Sequence, residues 1–240
     1  MTTSTSARQR VHVTRPNTKR ARSTARILRS SNRFWRFTDF PDASASAAQH
    51  LLSDLADRGE LVRVRKGLYW RGVHTPLGMS PPSIDALVHE MTGSSGVGPA
   101  GLSAANALRL STQVPRRSQV AVPARAPASP GPVRFVSRPT RMGRVKARLT
   151  PTDVAMLETL ADWESVVEVS TLEGWATLRG MLEDDGNMAE RLAQASSTEP
   201  GGVRARLAAL LSAAGRHDLS DQVPEVDPRT RAAALTFLST

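Results

Sequence analysis

"LLSDLADRGELVRVRKGLYW", residues 51–70, changes its hydrophobic period halfway along. Ala48, just ahead of it, and Leu51, Leu52 and Leu55 stand at i, i+3, i+4 and i+7, the apolar stripe of a helix. Gly59 follows the last apolar turn as a stop. From Val62 the repeat is two. Val62 and Val64 alternate with Arg63 and Arg65, Lys66–Gly67 offers a tight turn, and Leu68–Trp70 returns as a second strand. A helix followed by a short hairpin with outward arginines is how a winged helix-turn-helix ends.

Upstream, Ala25, Ile27 and Leu28 are placed to line a first helix, and Phe34, Trp35, Phe37 and Phe40 are expected to form core. Residues 1–20 are rich in Ser, Thr and Arg without a hydrophobic period, so a disordered basic arm is expected there. A winged-helix domain then spans 21–75. Residues 76–168 read as a mixed α/β domain. In it "SPPSIDALVHEM" (80–91) is a helix with Ser80 as its cap and Ile84, Leu87, Val88 and Met91 as its stripe. A short helix at "LSAANALRL" (102–110) and strands at "SQVAV" (118–122) and "VRFVS" (133–137) follow. Thr150, Pro151 and Asp153 open a further helix as a capped start. Residues 169–240 read as an acidic helical region, with "SSTEPGG" (196–202) as a linker within it. The fold class is α+β.

The charge is uneven. Of the net +10, residues 1–150 hold 25 Lys/Arg against 7 Asp/Glu, and residues 151–240 hold 7 against 15. A basic front suits a polyanionic partner, while a solvated tail with an acidic helical surface is the plainer reading. No run approaches the roughly 20 apolar residues of a membrane span, no apolar segment backs the basic start as a secretory leader would, and cysteine is absent, so a cytoplasmic protein with no membrane partner is expected.

Enzyme signatures are missing. Gly96, Gly98 and Gly101 spell G-x-G-x-x-G, but a helix is expected before them, Pro99 lies inside, and no acid occurs between Glu90 and Asp153. Those glycines read as turn residues, and no cofactor is expected. The five histidines are isolated, and "EDD" at 183–185 reads as a solvated loop rather than a metal site. The chain is therefore expected not to be an enzyme and to hold no metal.

The nucleic-acid features are positive ones. With Ala48 and the leucines inward, the helix presents Ser46, His50 and Ser53, flanked by Gln49, to base edges. Arg63, Arg65 and Lys66 on the hairpin, with Arg33 and Arg36, suit phosphates. In the arm and just after it Arg8, Arg10, Arg15, Lys19, Arg20 and Arg22 suit the duplex backbone or a minor groove. Asp54 and Asp57 near the helix end would repel phosphate, and a winged helix that only contacts protein is the competing reading.

"LLSDLADRGELVRVRKGLYW", followed by "GLSAANALRLSTQVP" (101–115) and "RRSQVAV" (116–122), resembles the AbiEi-type antitoxins of type IV toxin–antitoxin systems. Leu52, Leu55, Gly59, Leu61, Arg63, Gly67, Leu68 and Tyr69 match that family's winged-helix pattern. Ser103, Ala104, Ala105, Asn106, Leu108, Leu110, Ser111, Thr112, Gln113 and Pro115 match the pattern of its antitoxin domain. The likeness covers roughly residues 24–165. Arg109 stands where the family usually has glycine, so a different turn is expected there. The resemblance implies repression of the chain's own operon at double-stranded operator DNA with inverted repeats, and opposition to a nucleotidyltransferase-like toxin, with or without direct contact. A stand-alone winged-helix regulator with an oligomerisation or effector domain is the alternative.

Overall fold

The computed structural model describes residues 18–93, 95–128 and 131–239, which fall into two compact units divided between Pro82 and Ser83. The arm lies outside the described residues except for Thr18–Arg20, and these are helical rather than disordered. They open α1 (Thr18–Leu28), which buries Ile27 completely.

In the first unit α1 leads into β1 (Arg33–Trp35), a 3-10 turn at Phe37–Asp39, and α2 (Ala45–Asp57). Ser44 caps α2, its Oγ accepting the Ala47 N–H at 3.2 Å. The stripe Ala48, Leu51, Leu52 and Leu55 is buried as its spacing predicts. Gly59 then takes a φ of +73°, and the chain turns into β2 (Val62–Arg65) and β3 (Leu68–Arg71). β3 lies between β1 and β2 and is antiparallel to both, with Phe34 opposite Trp70 and Arg63 opposite Tyr69. As the central strand it buries all four residues, whereas edge strand β2 leaves Val62 exposed. Trp35 and Phe40 stack in the core at 5.5 Å, while Phe34 is half-buried and Phe37 exposed, so only half of the aromatic cluster is core.

A two-stranded hairpin, β4 (His74–Thr75) with β5 (Gly78–Met79), carries the first unit past residue 75. Ser80 clamps its base: its Oγ accepts the Val73 N–H at 2.9 Å and its carbonyl accepts Trp70 Nε1–H at 2.7 Å. Ser80 is therefore not a helix cap. The cap of α3 (Ile84–Thr92) is Ser83, and of the expected stripe only Leu87 is fully buried.

The second unit continues through β6 (Gly98–Pro99), α4 (Leu102–Ala107), β7 (Ser118–Val122) and β8 (Val133–Ser137). β6 is antiparallel to β7, and β7 is parallel to β8. Then come α5 (Gly143–Lys146), α6 (Pro151–Ala161), α7 (Trp163–Val166), α8 (Thr171–Asp184), α9 (Gly186–Ala195), α10 (Gly201–Ala213), α11 (His217–Ser220) and α12 (Pro228–Leu235). α6, whose expected capped start is a reciprocal capping box between Thr150 and Asp153, is the hub: every residue from Asp153 to Leu160 is buried. One core runs from Ala100 to Val223, so the expected boundary at 168/169 falls inside it.

The glycines at 96–101 serve close packing. Gly98 sits in β6, where a Cβ would lie 2.6 Å from the Pro151 carbonyl oxygen and 2.8 Å from Val154 Cβ on α6. The stretch 196–202 is not a linker, because Ser196 and Glu199 are buried and Gly201 opens α10.

Candidate nucleic-acid interface

The first unit carries the whole net charge. Residues 1–82 hold 15 Lys/Arg against 5 Asp/Glu, and residues 83–240 hold 17 of each. On α2, Ser46, Gln49 and His50 are exposed and Ser53 half-exposed, so burial of the leucines leaves this polar face outward. Asp57 ends the same face, exposed. Asp54 is ion-paired with Arg20 from α1, which neutralises one of the two acids expected to oppose phosphate. Lys19, Arg20, Arg22 and Arg26 line a groove of about 580 Å³ together with Asp42 and with Ser44 and Ala47 at the N-terminus of α2.

Arg63, Arg65 and Lys66 are exposed together on β2 and its turn. Arg33 does not join them. It lies on β1, at the other edge of the sheet, two strand spacings or about 10 Å away. Its guanidinium covers the buried Trp35 ring at 4.3 Å, a cation–π contact. Arg36 is half-buried beside the 3-10 turn, its N–H donating to Asp39 at 2.7 Å. Arg71, which the sequence did not single out, is buried. It ties β3 to the Glu60 carbonyl at 3.1 Å and the Glu60 carboxylate at 3.3 Å.

In the second unit three residues of the stretch 103–115, Ser111, Thr112 and Gln113, surround Glu168, a residue no sequence pattern pointed to. Ser111 Oγ, Thr112 N–H and Thr112 Oγ1 donate to its Oε2 at 2.9, 2.6 and 3.1 Å, and Gln113 Nε2 donates to Oε1. Asn106 Nδ2 donates to the Ser111 carbonyl at 3.2 Å, and Ser103 Oγ accepts the Gln119 N–H at 2.9 Å. Pro115 is half-buried. The Thr112 N–H, then the Gln113 and Ser111 side chains, hold the Glu168 carboxyl down from an ordinary 4.5 to about 2. A depressed folded pKa adds stability that is complete above the unfolded value and is lost as pH falls toward about 2. Glu168→Gln should therefore lower Tm at pH 7, by a gap that narrows as pH drops through 4 to 3. A gap that does not change with pH would show that the carboxylate charge is not what holds this loop.

The acidic back and basic middle of the sequence neutralise each other inside this unit. Arg144 is fully buried, its Nε and Nη2 donating to Glu199 at 2.7 and 2.9 Å and its Nη1 to Glu158 at 2.8 Å. Arg138 and Arg141 also bind Glu158, at 2.8 and 2.7 Å. Burial pushes the Glu158 carboxyl up, but the hydrogen bonds of Arg138 and the charges of Arg144 and Arg138 outweigh it and leave it below its ordinary value. Asp153 is held bidentately by Arg191 at 2.7 and 3.0 Å. The acids of "EDD" are not a loop: Glu183 and Asp184 end α8, and Asp185 caps α9.

Among the described residues no group of three or more His, Cys, Asp or Glu side chains is arranged to hold a metal ion, and no helix is long and apolar enough to cross a membrane. No known family model and no curated protein matches the chain. Among solved structures it is similar to the crystal structure of the Rv2827c protein from Mycobacterium tuberculosis. The identity is 19% and the TM-score 0.44, over 89% of this chain and 85% of that one.

Proposed function

We propose that the chain is a DNA-binding antitoxin of a type IV toxin–antitoxin system, non-catalytic, whose first unit is a winged helix-turn-helix. The observation that carries this reading is the order α1–β1–3-10 turn–α2–β2–β3 with sheet order β1-β3-β2. In a winged helix the short second helix and the third helix form the helix-turn-helix, and the last two strands form the wing. On that reading α2 is the recognition helix, Ser46, Gln49, His50 and Ser53 face base edges, and Arg63, Arg65 and Lys66 meet phosphate. Lys19, Arg20, Arg22, Arg33 and Arg36 add positive potential around them. The unit's net charge of 15 cations against 5 anions supports a polyanionic partner.

The proposed second role, repressing growth arrest by a nucleotidyltransferase-like toxin, rests on the sequence resemblance in residues 103–115. One observation favours the alternative of a stand-alone regulator. Ser103, Asn106, Ser111, Thr112 and Gln113 all have hydrogen-bond partners within their own unit, as structural residues do. Two measurements test the reading. The purified chain should bind the duplex upstream of its own gene in preference to random duplex, with affinity falling steeply as salt rises. Expression of the adjacent gene should arrest growth, and co-expression of this chain should restore it. Equal binding to random duplex overturns the operator role. A harmless neighbour leaves only the stand-alone regulator.

A further inference from the structure

Arg141 is the least satisfied cation of the buried cluster, although its side chain is only 12% exposed. Its Nη1 donates to Glu158 at 2.7 Å and its Nε lies 3.5 Å from Glu199, while Nη2 makes no hydrogen bond among the described residues. By contrast, Arg144 uses Nε, Nη1 and Nη2 on the two glutamates. Burial, and then the charge of Arg144, push the Arg141 guanidinium below its ordinary value despite the nearby Glu199 and Glu158. Arg138, Arg141 and Arg144 against Glu158 and Glu199 leave one positive charge that the cluster's own acids do not neutralise.

That charge faces a pocket. Arg141 lines an open cavity of about 580 Å³, with Pro200 and Gly202 at the start of α10 and Arg229 and Thr230 on α12. Arg229 is exposed and has no hydrogen bond or ion pair among the described residues. Pro200 gives α10 no side-chain cap and no acid stands in its first turn, so the N–H groups of Gly201, Gly202 and Val203 have no partner within the helix. Arg206, also in the lining, is engaged by the Ala234 and Leu160 carbonyls at 2.8 and 2.7 Å and by Glu164. Asp162 is the single acid of the lining. With Arg206 matched by Glu164, pocket and cluster together set Arg138, Arg141, Arg144 and Arg229 against Glu158, Glu199 and Asp162.

We infer that this pocket binds a phosphate group, free or on a small monoester, with Arg141 and Arg229 as its principal ligands. The two arginines and the first turn of α10 approach from three separate elements, which suits the several oxygens of a tetrahedral dianion better than the two of a planar carboxylate. A bound dianion supplies the negative charge that the cluster lacks. The pocket's volume is that of a small-molecule site, and Ala161 and Ala233 in its lining leave an apolar side for the rest of a monoester. The site lies within the second unit and stands whether or not the first unit binds DNA.

The full chain is titrated with inorganic phosphate, and with sodium chloride at matched ionic strength. The Gly201 and Gly202 amide signals are followed by NMR, and the unfolding of the second unit by Tm. Phosphate should shift both amides saturably and raise that Tm, and chloride should do neither. Arg229→Ala should weaken phosphate binding by about tenfold, the loss of one charged hydrogen bond. It should keep the wild-type Tm in chloride, because the side chain has no partner in the fold. Arg141→Gln, which balances the cluster at two cations and two anions, should abolish the response to phosphate. Arg63→Ala with Arg65→Ala, in the first unit, should leave the amide shifts unchanged. Glycerol phosphate binding at least as tightly as phosphate assigns the site to a monoester, and weaker binding assigns it to the free ion. The inference is overturned if the amides do not move, if chloride or acetate moves them as phosphate does, or if Arg229→Ala binds phosphate like the wild type.

Discussion

Glu158→Gln is expected to destabilise the second unit by about 3–5 kcal/mol, the cost of removing one member of a buried ion cluster. Glu158 is fully buried and accepts from Arg138, Arg141 and Arg144, while Glu199 takes two bonds from Arg144. The cluster sets three cations against two anions, so glutamine leaves three cations facing Glu199 alone. Arg144→Met should cost less, because it leaves two cations with two anions and Arg141 already sits 3.5 Å from Glu199. The order of the two losses is the sharper test, read from denaturant unfolding of the transition that belongs to the second unit. A Glu158→Gln variant no less stable than Arg144→Met would mean that charge balance does not govern this site. Lowering pH titrates the same group: the folded carboxyl lies below its ordinary value, so its contribution is complete at neutral pH and is lost on acidification. Acid should therefore bring the wild type toward the glutamine variant.

This cluster also shows where sequence reading stops. The periodicity at 48–55 and the switch at Val62 specify α2 and its hairpin because those signals are local, carried by residues within one or two turns. The capping box at Thr150 and Asp153 is equally local. The charge split was visible, but its meaning depended on pairs such as Arg144–Glu199, 55 positions apart, that no spacing rule connects. Glu168 was invisible for the same reason, since its donors lie at 111–113. "EDD" reads as a loop because three consecutive acids carry no period, although Met188, Ala189, Leu192 and Ala193 just after it have helical spacing and are buried on α9. The cap of α3 lies at Ser83, three residues after Ser80, because Pro81 after Ser80 suits a first helical turn as well as Ile84 does, and only the fold shows that Ser80 holds Trp70.

Arg63→Ala combined with Arg65→Ala should weaken binding to every duplex and reduce the salt slope by about 2, one phosphate contact per arginine. Both side chains are exposed on edge strand β2, and neither has a hydrogen bond or ion pair among the described residues, so their loss leaves β3 and its buried Leu68–Arg71 in place. Far-ultraviolet circular dichroism and Tm should stay near wild type. Changes on α2 should act differently. Gln49→Ala or His50→Ala removes an exposed group that we propose faces base edges, so operator affinity should fall by about 1–3 kcal/mol with random-duplex affinity nearly unchanged. Asp57→Ala, at the end of the same face, removes an exposed negative charge and should tighten binding to all sequences. The three responses separate the roles proposed for hairpin and helix. If the hairpin variant keeps its affinity and its salt slope, the hairpin does not meet phosphate. If the α2 variants lower affinity for operator and random duplex equally, α2 does not read sequence.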